Sequence, residues 1–163
     1  MKKRILITGS NGLLGQKLVE LLRTQANVDL IATARGANRL PVTDGYTYAS
    51  LDITVLEEVN AIFDQFKPEV VIHTAAMTNV DTCETDRAGC DLLNVDAVAY
   101  LIQACEKHGT YLCHLSTDFI FDGADGPYTE EGKANPISYY GESKLKAEQL
   151  LFDSSIRWSI ART

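Results

Sequence analysis

The stretch KKRILITGSNGLLGQKLVELL, residues 2–22, joins an apolar run to a helical pattern through a glycine-rich loop. Residues 5–7 are aliphatic and two of them are β-branched, which favours a buried strand. This apolar run ends at Thr8-Gly9. Leucines at helical spacing begin directly after the loop. Glycines 9, 12 and 15 form GxxGxxG between that strand and that helix, a spacing variant of the dinucleotide fingerprint.

Each glycine of this loop has its own predicted task. Gly9 permits a tight turn, Gly12 lets a backbone N–H approach a pyrophosphate, and Gly15 lets the helix pack closely on the strand. The first helical turn adds unpaired N–H groups and a positive dipole end. A purely structural turn is the alternative, but the position between strand and helix favours a nucleotide site. The predicted binding residues of the loop are Gly9, Asn11, Gly12, Leu13, Leu14 and Gly15.

Length and composition predict one globular domain. The chain has 163 residues, of which 45% are hydrophobic and 23% charged, and its formal net charge is −7. Such an acidic balance disfavours broad binding to nucleic acid or to anionic membranes. No apolar run approaches the roughly 18 residues needed to cross a bilayer.

The cysteines and histidines show no metal-ligand spacing, so no metal site is predicted. We expect a cytoplasmic protein with reduced thiols. Cys83 and Cys90 lie seven residues apart and would share a face of a helix, although burial as small apolar residues is the favoured role.

Apolar runs alternate with helical patterns along the whole chain. Strands are predicted near residues 28–34, 46–49, 69–74, 111–116 and 156–161. Helices are predicted after a capping box of Thr54 and Glu57, over residues 86–108 with Gly109 as its end, and from Tyr139. This alternation predicts an α/β fold, a doubly wound parallel sheet of Rossmann type with helices on both faces. Residues 1–163 are expected to form one NAD(P)-binding domain that stops before a C-terminal substrate-binding region.

Several candidate binding residues follow the predicted strands, where an open α/β sheet places its ligands. Arg35, assisted by Arg39, follows the second strand, where an arginine can meet the 2′-phosphate of NADP. The alternative is a pair of solvated arginines. Asp52 and Ile53 follow the third strand and are suitably placed for the adenine. NADP is therefore favoured over NAD.

Tyr140 and Lys144 are spaced i, i+4 and so share a helix face. An ammonium beside a phenol is expected to lower the tyrosine pKa, so that the hydroxyl exchanges a proton with a carbonyl or alcohol. Ser116 or Thr117, at the end of the fifth strand, would bind the same oxygen. Such a pair occurs often by chance, but its combination with the glycine loop favours a catalytic site.

The chain resembles the extended short-chain dehydrogenase/reductases over essentially its whole length. The matching pieces are TGSNGLLG, LDIT, HTAAMTNVD, STDFIFDG and YYGESK, and the last two are most similar to the dTDP-4-dehydrorhamnose reductase branch. The resemblance implies an NAD(P)H-dependent oxidoreductase that acts on a nucleotide-linked 4-keto sugar. It implies Thr117, Tyr140 and Lys144 as catalytic, with Tyr140 and Lys144 also beside the cofactor, Ala75 and Ala76 along the cofactor, and Asn94 near the active site. His73 stands where the branch commonly has asparagine.

Other members of the same superfamily supply the alternatives. One is a nucleotide-sugar epimerase, and another is a non-catalytic NADP-binding regulator that resembles the β subunit of methionine adenosyltransferase. A dehydratase is disfavoured, because Asp118-Phe119 follows Ser116-Thr117 where that class has Asp-Glu. The sequence leaves the oligomeric state open, with a homodimer among the options.

Overall fold

A computed structural model describes residues 2–163. Its six strands are β1 (Lys3–Thr8), β2 (Val28–Ala34), β3 (Thr47–Ser50), β4 (Val70–His73), β5 (Tyr111–Ser116) and β6 (Trp158–Arg162). All pair in parallel in one sheet of order β3-β2-β1-β4-β5-β6. Strands β2 and β3 lie on one side of β1, whereas β4, β5 and β6 lie on the other. A crevice is therefore expected outside the carboxyl ends of β1 and β4, where the strand order reverses. The predicted fold class is confirmed.

Six α-helices connect or follow the strands. They are α1 (Leu13–Leu22), α2 (Leu56–Phe66), α3 (Val80–Thr85), α4 (Arg87–Asp91), α5 (Ala97–His108) and α6 (Tyr139–Phe152). A π-helical turn (Leu92–Asp96) joins α4 to α5, and a 3-10 turn (Asp118–Ile120) follows β5. Within residues 2–163, no helix combines the length and the apolar character needed to cross a membrane.

Both faces of the sheet are buried. Leu6 of β1 belongs to a large core with α2 and α5, whereas its neighbour Ile7 packs with Val19 of α1 on the other face. Successive strand residues point to opposite faces, so a strand covered on both sides must be apolar at consecutive positions. This requirement explains the uninterrupted aliphatic runs of the sequence.

The predicted capping box at Thr54 is wrong. Helix α2 begins at Leu56, its N-cap is Val55, and no side chain caps it. The Thr54 hydroxyl instead donates to Asp52 Oδ1 at 2.6 Å, and the Thr54 amide donates to the same oxygen at 3.0 Å. Thr54 therefore takes part in an Asx turn with Asp52 and does not cap α2 as the sequence pattern predicted.

The predicted helical region over residues 86–108 is confirmed, and it contains a π turn in its middle. Asp86 has φ −126° and ψ 69°, which interrupts the helical path, and its carboxylate caps α4 by accepting from the Gly89 amide at 2.9 Å. The segment consists of α4, the π turn and α5, and the short helix α3 precedes it. Gly109 ends α5 with φ 66°, as predicted.

A buried ion pair fixes α6 against β6. Arg162 donates from Nη2 to Glu148 Oε2 at 2.8 Å and from Nε to Glu148 Oε1 at 3.1 Å. Glu148 is fully buried, so the two-pronged contact compensates much of the cost of removing its charge from water. Arg162 Nη1 also donates to the Glu130 carbonyl at 2.9 Å, which ties the loop before α6 to the same arginine.

Candidate active site

The candidate site is a cleft at the carboxyl ends of β1 and β4. Two adjoining recesses, of about 290 and 330 Å³, share Gly12, Thr74 and Ala76 in their walls. The first also contains predicted residues on the β2–β3 side of the cleft, namely Gly9, Arg35, Asp52, Ile53 and Ala75. The second contains predicted residues on the β5 side, namely Leu13, Leu14, Gly15, Tyr140 and Lys144. The fold thus brings together residues that lie far apart in sequence.

Two of the loop glycines are required by packing within the protein. Gly9 has φ +71°, and a Cβ on it would lie 2.7 Å from the Ala75 amide nitrogen. A Cβ on Gly15 would collide with the Gly9 carbonyl oxygen and lie 2.8 Å from the Ser10 Cα. These contacts keep the start of α1 tight against the ends of β1 and β4.

Gly12 differs, because a Cβ there would meet only the Gly9 carbonyl oxygen, at 3.3 Å. Gly12 is exposed, is the N-cap of α1 and lines both recesses. No side chain caps α1, so its first amide groups face the cleft without a side-chain acceptor. An anionic group such as a pyrophosphate fits this end of the helix.

Asn11 holds the glycine loop to the loop after β2. Its Nδ2 donates to the Ala37 carbonyl at 3.0 Å, and its Oδ1 accepts from the Arg39 amide at 3.0 Å. These two hydrogen bonds hold the glycine loop against the loop after β2. Arg39 is exposed and lines neither recess.

Arg35 and Asp52 lie together at the corner of the first recess. Arg35 Nη1 is 3.7 Å from Asp52 Oδ2, and the Arg35 side chain is 83% exposed. The Thr54 hydroxyl, followed by the Thr54 amide and Arg35, lowers the pKa of Asp52, while partial burial acts against this. This corner therefore offers one anionic and one cationic group to a ligand.

The expected lowering of the Tyr140 pKa by Lys144 is wrong. Burial raises the pKa of Tyr140 above 10.0, and the nearby Thr117 hydroxyl offsets only part of this. Lys144 is directed elsewhere: its Nζ donates to the Leu115 carbonyl at 2.7 Å and lies 3.2 Å from His114 Nε2. Tyr140 therefore remains a protonated phenol at neutral pH.

Lys144 is 2% exposed, and its burial lowers its pKa to about 8 although Glu148 acts in the opposite direction. Residues four apart on a helix are neighbours, which places Glu148 on the same face of α6. The ammonium thus sits beneath the floor of the second recess, fixed by one carbonyl and one imidazole.

Two buried histidines on neighbouring strands lie next to Lys144. His73 and His114 are opposite each other on β4 and β5, and their rings stack with centroids 5.3 Å apart. His73 Nδ1 is 2.7 Å from the Thr8 hydroxyl. Burial lowers the pKa of His73 to about 3, and the pKa of His114 is likewise lowered by burial, with Lys144 adding to both effects. Both rings are neutral at pH 7, a feature that the sequence analysis did not identify.

The two hydroxyls at the end of β5 differ in availability. The Thr117 hydroxyl accepts from the Phe119 amide at 3.2 Å and donates to Asp118 Oδ1 at 3.3 Å. The Ser116 hydroxyl is buried, lines the second recess and has no hydrogen-bond partner within the described residues. A ligand oxygen in that recess would satisfy it, so Ser116 is the better placed of the two for a polar contact there.

Asn94 does not line either recess. It is 1% exposed, and its Oδ1 accepts from the Met77 amide at 2.8 Å while its Nδ2 donates to the Met77 carbonyl at 3.0 Å and to the Ser143 hydroxyl at 3.0 Å. The side chain therefore positions the segment after β4 relative to α6. Asn94 thus has a supporting position beside the cleft and is not part of its walls.

Further recesses lie outside this cleft. One of about 740 Å³ is at the amino ends of the strands, where Arg4 Nε donates to the Lys67 carbonyl at 2.8 Å and Arg157 Nη2 to the Gly109 carbonyl at 3.1 Å. Its cations thus complement helix C-termini. Another, of about 460 Å³, is a largely apolar hollow beside Thr117, lined by Val80, Phe119, Phe121, Tyr128 and Ile137 among others.

Comparison with known proteins gives a consistent group of relatives. A family model described as RmlD substrate binding domain matches residues 2–163. A dTDP-4-dehydrorhamnose reductase of Aggregatibacter actinomycetemcomitans is 37% identical over 161 residues, which are 98% of this chain and 50% of that protein. The β subunit of methionine adenosyltransferase 2 from Danio rerio is 34% identical over 147 residues, 90% of this chain and 43% of that protein.

Among solved structures, a dTDP-4-dehydrorhamnose reductase of Bacillus anthracis, crystallised with NADP, superposes with a TM-score of 0.84 at 31% identity. The match covers 99% of this chain and 53% of that one. The chain thus spans about half the length of the relatives that it matches.

Proposed function

Because the chain belongs to the RmlD substrate binding domain family, we propose that it is the dinucleotide-binding part of an NADP-dependent reductase of nucleotide-linked 4-keto sugars. The observation that carries the proposal is the cleft that joins the glycine loop to Tyr140 and Lys144. Although the family is named for substrate binding, residues 1–163 have the strand order of a dinucleotide fold. We infer that sequence beyond these residues supplies most of the sugar-nucleotide pocket.

In this proposal the glycine loop binds the pyrophosphate. Gly12 leaves room for the phosphate oxygens, and the free amides at the start of α1 donate to them. Ala75 and Ala76 allow the ligand to lie close to the end of β4 because their side chains are small. Arg35 would meet the 2′-phosphate of NADP by leaving Asp52, which favours NADP over NAD.

A bound nicotinamide supplies the hydride that reduces the sugar carbonyl. Tyr140, which is protonated at neutral pH, then donates its phenolic proton to the carbonyl oxygen. Thr117 or Ser116 holds that oxygen by a hydrogen bond. Lys144, whose position is set by Leu115 and His114, would orient the ribose of the cofactor.

The binding half of the proposal is tested by titrating the chain with NADPH and with NADH, followed by nicotinamide fluorescence and by thermal shift. We expect both to bind and NADPH to bind more tightly. Arg35→Ala should reduce the affinity for NADPH and leave that for NADH nearly unchanged. Absence of binding by either cofactor would refute the assignment.

The chemical half is tested with Tyr140→Phe in a chain that turns over a nucleotide-linked 4-keto sugar. We expect turnover to fall by about 10²–10⁴, the usual contribution of a positioned proton donor, while NADPH binding persists. Tyr139→Phe is the matched control, because the Tyr139 hydroxyl bonds to Asp91 at 2.6 Å, away from the cleft. Full turnover in Tyr140→Phe would remove the tyrosine from the mechanism.

A non-catalytic regulator is the second candidate, supported by the 34% identity to a methionine adenosyltransferase β subunit. An epimerase of the same superfamily is a further alternative. NADPH binding without turnover of any 4-keto nucleotide sugar would favour the regulator. Turnover with no net oxidation of NADPH would favour the epimerase. A homodimer and a cytoplasmic location are part of the same proposal.

A further inference from the structure

Cys83 and Cys90 lie on two short helices on either side of the break at Asp86. In a continuous helix, residues seven apart are separated by about 10 Å along the axis. The break folds α4 back toward α3, and the two sulfur atoms are 2.7 Å apart. The interruption of the helix therefore creates a contact that its regular continuation would prevent.

The pair is isolated from the other two cysteines and from solvent. Cys83 and Cys90 are each 0% exposed and pack with Met77, Tyr139 and Tyr140. Cys105 belongs to the core around α5, and Cys113 is on β5. All four are free thiols in the structure.

The surroundings of the two sulfurs differ. The Cys90 thiol donates to the Ser143 hydroxyl at 3.4 Å, and Asn94 Nδ2 lies 3.4 Å from Cys90 Sγ. Cys83 Sγ faces the Met77 carbonyl at 3.8 Å, which accepts a hydrogen bond and does not donate one. Burial raises the pKa of Cys83 to about 12. Cys83 therefore keeps its proton at neutral pH.

We propose that Cys83 and Cys90 are an oxidative modification site, at which hydrogen peroxide converts the two thiols into an intramolecular disulfide. An S–S bond is about 2.0 Å long, so only a sub-ångström approach of the sulfur atoms is needed. The oxidant is small, and transient opening of the short helices α3 and α4 admits it.

The reaction balances in two steps. The Cys90 thiol gives up its proton as its sulfur attacks one peroxide oxygen, an S–O bond forms, the O–O bond breaks, and the released hydroxide takes up that proton to give water. Cys83 sulfur then attacks Cys90 sulfur, the S–S bond forms and the S–O bond breaks. The leaving hydroxide accepts the Cys83 proton as the second water. Two thiols are oxidised by two electrons, and one peroxide is reduced to two waters.

The test is to treat the reduced chain with hydrogen peroxide and to alkylate the remaining thiols in denaturant. Before alkylation, we expect the mass of the oxidised chain to be lower than that of the reduced chain by two hydrogen atoms. Of the four cysteines, only Cys105 and Cys113 should then be alkylated. Peptide mapping should link Cys83 to Cys90, and dithiothreitol should restore all four thiols. The oxidised chain should melt about 5 °C higher, as a short cross-linked loop predicts.

Cys83→Ser and Cys90→Ser should each abolish the cross-link. Cys105→Ser is the matched control, because it removes a buried thiol with no sulfur neighbour and should leave the cross-link intact. Four alkylated cysteines after treatment, or a bond involving Cys105 or Cys113, would overturn the proposal. Should a serine variant fail to fold, the peptide map of the unaltered chain decides alone.

Discussion

At the scale of single residues, the three loop glycines separate into two kinds. Gly15 has no room for a side chain because the Gly9 carbonyl and the Ser10 Cα occupy the space. Gly12 has nearly enough room, since its added carbon would meet only one oxygen, at 3.3 Å. Alanine at Gly15 should therefore affect mainly the stability of the fold, whereas alanine at Gly12 should affect mainly ligand binding.

We predict that Gly15→Ala lowers the free energy of unfolding by about 1–3 kcal/mol, the usual cost of overpacking. Gly12→Ala should cost less than half of that and should weaken NADPH binding at least tenfold. Urea denaturation measures the first effect, and a fluorescence titration the second. Equal stability losses in both variants, with unchanged binding by Gly12→Ala, would contradict this division.

The buried histidine on β4 predicts a pH dependence of stability. His73 stays neutral in the folded chain down to about pH 3, whereas in the unfolded chain it binds a proton below about pH 6.5. The unfolded state thus binds more protons between these values, so stability falls as the pH is lowered through this window.

We expect a loss of about 1.4 kcal/mol per pH unit from this group below about pH 6.5. The measurement is urea denaturation at several pH values between about 7 and 5, a range in which ordinary carboxylates remain ionised. His73→Asn should reduce the slope, and His114 should account for part of the remainder. The same slope in His73→Asn and in the unaltered chain would show that His73 does not contribute.

At the scale of secondary-structure elements, the segment after β4 depends on one side chain. Asn94, in the π turn, satisfies both the amide and the carbonyl of Met77. Replacement by an apolar residue of similar size leaves two buried backbone groups without partners, each costing about 1–3 kcal/mol.

We therefore predict that Asn94→Leu loses about 2–5 kcal/mol of unfolding free energy and also weakens NADPH binding, because Ala75 and Ala76 precede Met77 directly. Val95→Ala is a suitable control, since Val95 is a partly buried neighbour on the same turn with no polar contact. A variant at Asn94 with unchanged stability would show that water replaces the lost bonds.

The sequence was informative where one residue type has one structural use. Strands buried on both faces must be aliphatic throughout, so their positions were predictable, and Gly109 marked the end of α5. Helix α3, which ends at Thr85, was not predicted, because its six residues are too few to show a helical repeat. The i, i+4 rule placed Lys144 on the face of Tyr140 but could not show its bond to Leu115, which depends on tertiary packing.

At the scale of the whole molecule, the larger of the cores, on one face of the sheet, predicts that the elements which share it unfold together. A single cluster includes Leu6, Phe63, Leu101 and Leu112 and extends to Trp158 on the edge strand β6. Structural units that share buried contacts open together. We expect the fluorescence of Trp158 and the far-UV circular dichroism to report the same urea midpoint.

Leu101→Ala should lower both midpoints equally, with a loss of about 2–5 kcal/mol in unfolding free energy. The comparison requires only the two spectroscopic signals on one sample. A fluorescence transition that precedes the loss of helicity would show that β6 and α6 separate first, in spite of the buried Glu148–Arg162 pair.

The π turn at Leu92–Asp96 has a consequence for insertions and deletions. Such a turn contains one residue more than an α-helical turn. Deleting one residue here would restore the regular repeat without rotating the flanking helices, because the wider turn absorbs its extra residue. Length variation among related chains should therefore be tolerated in this segment where Asn94 is kept, and single substitutions at its exposed positions, such as Leu92, should be harmless.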